Sequence, residues 1–283
     1  MRRLGVLGWP VAHSRSPAMH RAAFAALGIT DHSYQLLPVP PEVFDETVRA
    51  LPAAGFVGAN VTIPHKEAAL RVAGTASEGA RAIGAANTLS FEPGGAIHAQ
   101  NTDAPGLIAA LPDSPRGRTA VVLGAGGRAR AAVWALREAG AERVEVWNRT
   151  PERAAALAAQ MGVVHAASIT PSHFLVNCTA AGLDERSSQF KHLPIDADSI
   201  AGYACVVDLV YRSGPTELIQ AAERHGCATV DGLEVLVHQG ALSFTAWTGQ
   251  PAPLQAMRDA ASEQHLRHPT PPAGSLDRGS AGA

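Results

Sequence analysis

Ala120-Val121-Val122-Leu123-Gly124-Ala125-Gly126-Gly127-Arg128-Ala129 sets a short apolar run against a glycine-rich turn, and a helical pattern follows over residues 128–139, closed by Gly140. The turn has the form G-x-G-x-x-A in the setting that makes it informative, with a strand before and a helix after. Gly124 permits the tight turn, Gly126 lets the backbone approach a pyrophosphate, and the small Ala129 allows helix and sheet to pack closely. Free N–H groups at the helix start are then available to an anion. Gly124, Ala125, Gly126, Gly127, Arg128 and Ala129 are therefore candidate dinucleotide contacts. A strand-to-helix turn without a ligand is the plain alternative; strand, spacing and helix together weigh against it.

Downstream, apolar runs at 144–147, 174–177, 206–210 and 229–230 alternate with a helical pattern at 151–161. Such βαβ alternation predicts a parallel, doubly wound sheet. Near the end of its second strand, an NAD-binding sheet carries an acidic residue for the ribose 2′-hydroxyl. This chain has Asn148-Arg149-Thr150 and then Arg153. Arg149 offers a planar donor fork and Arg153 a second positive charge, a pairing that suits the 2′-phosphate of NADP. Thr150-Pro151 also reads as a helix N-cap with proline at the first helical position, and Arg153 as a solvated helix residue.

Upstream, strands are predicted over 4–7, 34–39, 58–62 and 88–91 and helices over 17–27, 41–51 and 66–73, an α/β unit of its own. The polar, proline-rich stretch 111–118 separates the two alternations, and the junction is expected between 103 and 115. The helical run 233–247 is expected to pack back on the first unit. The predicted organisation is thus α/β with two domains: residues 1–103 plus 233–266 for a substrate, and a Rossmann-type domain of residues 104–232. Residues 267–283, rich in Pro, Gly, Ser and Ala, are expected to be a disordered tail.

With 283 residues, 46% of them hydrophobic, the chain can bury a substantial core. A net charge of −2 and no basic patch interleaved with aromatics speak against nucleic acid and for a small-molecule partner. Cys178, Cys205 and Cys227 show neither a disulfide framework nor a metal-ligand spacing, so no metal is expected and a cytoplasmic setting is. The glycines and proline near the N-terminus make a secretory segment unexpected, and the long stretch 154–183 without Asp, Glu, Lys or Arg is too often interrupted by polar residues to span a membrane.

Four polar clusters sit at element ends: His13-Ser14-Arg15-Ser16-Pro17, Asn60-Val61-Thr62-Ile63-Pro64-His65-Lys66, Gly84-Ala85-Ala86-Asn87-Thr88 and Asn101-Thr102-Asp103. Loops on a rigid scaffold are where sites are built. Together with Asn177-Cys178-Thr179, the stretch Asp208 to Tyr211 and the segment from Gln239 to Trp247-Thr248-Gly249, these clusters resemble the shikimate dehydrogenase family. The resemblance runs from Gly8 to Gly249. It implies an NADP-dependent enzyme that reduces 3-dehydroshikimate to shikimate in aromatic amino acid (chorismate) biosynthesis, as a monomer or homodimer. Ser14 and Ser16 would then hold the substrate carboxylate, with Asn60, Thr62, Lys66, Asn87, Asp103, Tyr211 and Gln239 around the rest of the substrate. Thr179, Leu209 and Gly232 would join the cofactor contacts. Arg128, Arg21 and Ser213 depart from the family's usual residues.

Within this implied set, Lys66 and Asp103 are assigned to chemistry, because an alcohol oxidised by hydride loss must also release a proton to a base within reach. With Pro64 read as a first helical position, Lys66 falls in a first turn, where the positive helix terminus disfavours an ammonium and Asp103 favours it. The plain alternatives are a surface lysine at Lys66, a helix N-cap at Asp103, turn residues at Asn87 and Asn101, and an exposed position at Gln239, while Ser16 before Pro17 is expected to cap its helix alongside binding. His13, His20 and His65 are read as structural. Three rival activities stand beside this reading: a quinate or dual quinate/shikimate dehydrogenase, against which Ser16 and Arg149 argue by resemblance; a non-catalytic NADP-binding sensor, which has no need of Lys66 and Asp103; and a methyltransferase, unsupported by Asn148-Arg149-Thr150.

Overall fold

Short apolar strands joined by helices whose apolar residues recur every three or four positions build the first half of the chain. The computed structural model describes residues 1–184, 186–212 and 214–267. Its first half runs β1 (Arg2–Gly8), α1 (Ser16–Ala26), β2 (His32–Pro38), α2 (Phe44–Ala50), β3 (Phe56–Val61), α3 (Lys66–Val72), β4 (Thr75–Ala76), α4 (Glu78–Ile83), β5 (Thr88–Phe91), β6 (Ile97–Gln100) and α5 (Asp103–Ala110). The six strands form one sheet, ordered β2-β1-β3-β5-β6-β4. β1 is parallel to β2 and β3, whereas β3–β5 and β5–β6 are antiparallel, so this sheet is mixed. The tight connection through Gly94 and Gly95, both at positive φ, is too short for a parallel crossover and turns β6 back along β5.

The second half runs β7 (Thr119–Leu123), α6 (Gly127–Glu138), β8 (Arg143–Trp147), α7 (Pro151–Met161), β9 (Val164–His165), β10 (Phe174–Asn177), β11 (Cys205–Asp208), α8 (Glu217–Arg224), β12 (Ala228–Asp231), α9 (Gly232–Thr248) and α10 (Leu254–Arg267). Its sheet is ordered β12-β11-β10-β7-β8-β9, and every pairing is parallel. The chain leaves β7 for β8 on one side and later returns to β10 on the other, which makes the C-terminal end of β7 the switch point where such sheets bind ligands. Gly124 stands there at φ +118, a conformation closed to ordinary side chains.

α9 returns to the first sheet, as its apolar pattern predicts. Val237, Phe244 and Trp247 share one buried cluster with Leu4, Val6, Met19 and Tyr34. Trp247 Nε1 donates to the Leu89 carbonyl at 3.0 Å, and a Cβ on Gly58 would lie only 2.2 Å from that nitrogen, so glycine is what lets α9 lie on β3. α5 crosses α9 closely at Gly106 and Gln239 and also packs on α6.

Several local expectations are corrected. Ser16 is the first residue of α1 and Arg15 occupies the cap position, with no side-chain cap bond; Ser14 Oγ instead accepts from the Ser16 N–H at 3.3 Å. α3 starts at Lys66 behind His65, and Pro64 lies outside the helix. Thr102, not Asp103, is at the cap position of α5. Thr150 does precede α7, with Pro151 first in the helix, but its side chain makes no cap bond. The strand expected over 206–210 ends at Asp208, where the carboxylate accepts the Val210 N–H at 3.1 Å and turns the chain. Of the expected tail, 268–283 lie outside the described residues. No described helix is long and apolar enough to cross a membrane.

Candidate active site

Strand ends and helix starts of the first sheet converge on a cleft of about 340 Å³. Ser14 reaches it from the turn between β1 and α1 and Ser16 from the start of α1, Asn60 and Thr62 from the end of β3, and Lys66 from the start of α3. Asn87 precedes β5, Asp103 opens α5, Gln239 sits in α9 and Tyr211 follows β11. All nine line the cleft, together with Arg128, Leu209 and Gly232 from the second half. One cavity thus gathers residues spread over more than two hundred positions.

Lys66 Nζ lies 2.5 Å from Asp103 Oδ2, with the two side chains 19% and 24% exposed, enough to meet a ligand while mostly removed from water. The other carboxylate oxygen, Oδ1, accepts from Asn87 Nδ2 at 2.9 Å. Asn87 Nδ2 also reaches Gln239 Oε1 at 3.0 Å, and Asn87 Oδ1 accepts the Thr102 backbone N–H at 2.6 Å. Asn60 accepts from Tyr34 Oη at 2.7 Å and donates to Ser243 Oγ at 2.9 Å. Burial drives the Tyr34 phenol well above its ordinary pKa, so it serves as a neutral donor, with the Ser16 hydroxyl opposing part of that shift. Arg15, between the two serines, stacks on Tyr211 at 5.5 Å and donates to the Ala261 carbonyl, tying the serine turn to the second half and to α10.

On the cofactor side, the N-terminus of α6 has no side-chain cap and no acidic residue in its first turn. A Cβ on Gly126 or Gly127 would meet no atom within 4 Å, so the turn presents open space and bare N–H groups, which fits a pyrophosphate. Ala129 is buried against the sheet. Arg128 points neither wholly to solvent nor away: Nη1 donates to the Leu209 carbonyl at 3.3 Å from the cleft wall. Thr179 is pinned by Asn177 Oδ1, which accepts from its N–H at 3.0 Å and its hydroxyl at 2.7 Å. Asn148 Nδ2 donates to the Thr150 carbonyl at 3.0 Å and shapes the turn after β8. Arg149 and Arg153 are exposed there and belong to no ion pair among the described residues, while the neighbouring acid, Glu152, lies one residue inside α7. This donor set fits a 2′-phosphorylated dinucleotide. Residues 124–127, 148–150, Ala129, Arg153 and Thr179 do not line the 340 Å³ cleft itself.

His20 and His65 are structural, the first stacked on Tyr34 at 4.2 Å and the second on Phe44 at 4.4 Å with a bond to the Val39 carbonyl. His13, in contrast, is exposed and lines the cleft. Among the described residues no cluster of His, Cys, Asp or Glu is arranged to hold a metal. Sequence reasoning missed the apolar wall, including Trp9, Val235 and Leu236, and the buried Ser243 hydroxyl, and it gave no role to Ile63, Thr88 and Thr102 although they stand inside the quoted clusters. Thr88 and Thr102 adjoin residues already singled out, which was the available signal.

A cleft with polar groups set in an apolar wall, abutting the switch point of a parallel sheet and with a lysine and a carboxylate paired at its wall, defines a two-domain dehydrogenase of the Rossmann class. Residues 6–89 match the shikimate dehydrogenase substrate binding domain, residues 109–178 the shikimate / quinate 5-dehydrogenase family and residues 232–261 the shikimate 5′-dehydrogenase C-terminal domain. A shikimate dehydrogenase (NADP(+)) of Methylobacterium radiotolerans is 45% identical over 273 residues, covering 91% of this chain and 95% of that one. The crystal structure of shikimate 5-dehydrogenase from Thermus thermophilus in complex with NADP(H) and shikimate superposes with a TM-score of 0.82 at 40% identity, over 93% of this chain and 99% of that one. The ligand-free 5-ketofructose reductase of a Gluconobacter strain shares the fold at a TM-score of 0.85 and 29% identity, over 93% and 98%. The chain belongs to the shikimate dehydrogenase family.

Proposed function

We propose that this chain catalyses the reversible NADPH-dependent reduction of 3-dehydroshikimate to shikimate, a step of chorismate and aromatic amino acid biosynthesis. The observation that carries this reading is Lys66 Nζ held 2.5 Å from Asp103 Oδ2 in the wall of the shared cleft. When bound, the nicotinamide supplies the hydride that reduces the ring carbonyl. Charge then develops on the carbonyl oxygen, and Lys66 delivers the proton from Nζ to it; in the oxidative direction the same nitrogen takes the proton from the alcohol. Asp103 keeps Nζ aimed, and its second oxygen is itself held by Asn87.

Ser14 and Ser16 hold the substrate carboxylate. Asn60, Thr62, Asn87, Tyr211 and Gln239 face the remaining polar groups, and a site that pairs each hydroxyl rejects analogues that lack one. Residues 124–129 cradle the pyrophosphate, Asn148, Arg149, Thr150 and Arg153 the adenosine 2′-phosphate, and Thr179, Leu209 and Gly232 the nicotinamide end. Residues 1–103 with 233–266 act as the substrate domain and 104–232 as the NADP domain. The three free thiols support a reducing, cytosolic setting, where the enzyme works as a monomer or homodimer without nucleic-acid or membrane partners.

The test is a set of four assays, shikimate and quinate each with NADP and NAD, followed by absorbance of the reduced nicotinamide. Rapid turnover of shikimate with NADP is expected. Preference for quinate or for NAD would overturn the substrate or the cofactor assignment, and inactivity on all four would overturn the function.

A further inference from the structure

Behind the residues that line the cleft lies a buried triangle of hydroxyls. Thr88 Oγ1 is 2.9 Å from Ser243 Oγ and 3.1 Å from Thr102 Oγ1, and Thr102 is 3.3 Å from Ser243. Thr88 and Ser243 are fully buried, Thr102 is 5% exposed, and none of the three lines the cavity. They come from β5, the residue before α5, and α9; Thr88 and Thr102 are 14 residues apart, and Ser243 is brought to them from more than a hundred positions away.

We propose that Thr88, Thr102 and Ser243 are positioning residues for the reaction, their hydroxyls fixing the angle at which the side-chain amides of Asn60 and Asn87 face the cleft. This rests on the functional reading above. The Asn60 amide nitrogen has two protons and meets Thr88 Oγ1 at 3.2 Å, Ser243 Oγ at 2.9 Å and the Asn87 carbonyl at 3.2 Å. Which end of the Asn87 amide is oxygen is set by a group that can only donate, the Thr102 N–H; the Thr88 hydroxyl lies 3.3 Å from that oxygen, and the Thr102 hydroxyl flanks the amide at 3.1 Å from the oxygen and 3.0 Å from the nitrogen. Its nitrogen therefore faces Asp103 Oδ1 and Gln239 Oε1, leaving Asp103 Oδ2 to Lys66. Ser243 also donates to the Gln239 carbonyl at 3.1 Å, fixing the helix turn that presents Gln239. A buried amide deprived of these partners swings to recover a hydrogen bond, and the carboxylate it holds moves with it.

The test compares Thr88→Val, which keeps the shape and deletes the hydroxyl, with Thr88→Ser, which keeps the hydroxyl, and adds Ser243→Ala as an independent deletion. We expect Thr88→Val and Ser243→Ala to lower kcat for shikimate by about tenfold or more and to displace its pH profile, with KM for NADP unchanged and Thr88→Ser within about twofold of wild type. In the ligand-free proteins, NMR signals of the Asn60 and Asn87 amide protons should move and exchange faster in the two deletions and not in Thr88→Ser. Thr88→Ser as impaired as Thr88→Val, or melting temperatures that fall while kinetics and amide signals stay as in wild type, would overturn the proposal. Wild-type protein inactive on shikimate with NADP would strike the functional reading alone, since the amide signals still decide what the hydroxyls hold.

Discussion

Gly106 and Gln239 meet where α5 crosses α9: a Cβ on Gly106 would stand 2.8 Å from both the Cβ and the backbone nitrogen of Gln239. Asp103 is one turn upstream of Gly106 on the same helix, so this crossing sets how far the carboxylate stands from the amide that shares Asn87 with it. Neither backbone nor Cβ can retreat like a flexible side-chain tip. Gly106→Ala should therefore cost about 1–3 kcal/mol by overpacking and also reduce kcat/KM for shikimate. Thermal melts with steady-state kinetics check this; a melting temperature and kinetics both at wild-type values would contradict it.

Cofactor choice is expected to rest on Arg149, exposed after β8 with no carboxylate at the strand end. Arg149→Ala removes a charge-assisted contact and should weaken NADP binding roughly ten- to a hundredfold while leaving NAD almost unaffected. Titration of both cofactors by fluorescence reads this directly. Equal weakening of the two would move the 2′-phosphate contact elsewhere.

Asp208 is buried at the end of β11, where burial pushes its carboxyl pKa up. Four donors hold it: Asn177 Nδ2 at 2.9 Å, Gln189 Nε2 at 2.8 Å, Thr216 Oγ1 at 2.6 Å and the Val210 N–H at 3.1 Å. An amide offers one acceptor oxygen and two protons against this all-donor shell. Asp208→Asn should thus destabilise the protein by about 1–3 kcal/mol even though it removes a buried charge. Chemical denaturation measures it, and a neutral or stabilising result would show that desolvation outweighs the four bonds.

The glycine turn and the four polar clusters were legible in the sequence because each is local: a strand, a turn and a helix start within a dozen residues, or polar residues crowded at one loop. The sheet's mixed character was not, since Ile97 to Gln100 is a four-residue strand whose pairing depends on the Gly94-Gly95 turn. Nor was the hydroxyl triangle, because Thr88 and Ser243 are 155 residues apart and look like ordinary strand and helix residues. Ser14 has no structural duty legible in its letter, yet it accepts the Ser16 N–H, a bond that depends on where α1 starts. Gln239 left buried and exposed readings open on its letter alone; the crossing at Gly106 puts it inside.

The core is expected to be acid-sensitive at His20. The His20 ring is fully buried and stacked on Tyr34, and neither ring nitrogen has a partner in bonding geometry among the described residues. Burial lowers its pKa to about 3, an effect that the Asn60 side chain nearby offsets only in part. Between about pH 6.5 and 3 the unfolded chain binds a proton that the folded one refuses, so stability is full above 6.5 and falls as the pH drops, by up to about 1.4 kcal/mol per pH unit. His20→Phe should flatten the stability curve between about pH 4 and 6.5 by that slope. Parallel curves for the two proteins in urea unfolding would contradict the assignment.

Proton transfer by Lys66 is the central claim, and its most direct test is the pH dependence of kcat for wild type, Lys66→Ala, Asp103→Asn and the double variant, with folding checked by melts. Lys66→Ala should lower kcat by roughly 10²–10⁴-fold, the usual contribution of a positioned acid or base. Asp103→Asn should impair turnover as well, and the double variant should be little worse than Lys66→Ala, because the two act as one unit. Near-normal kcat with only a raised KM for shikimate in Lys66→Ala would contradict the account and leave the lysine a binding residue.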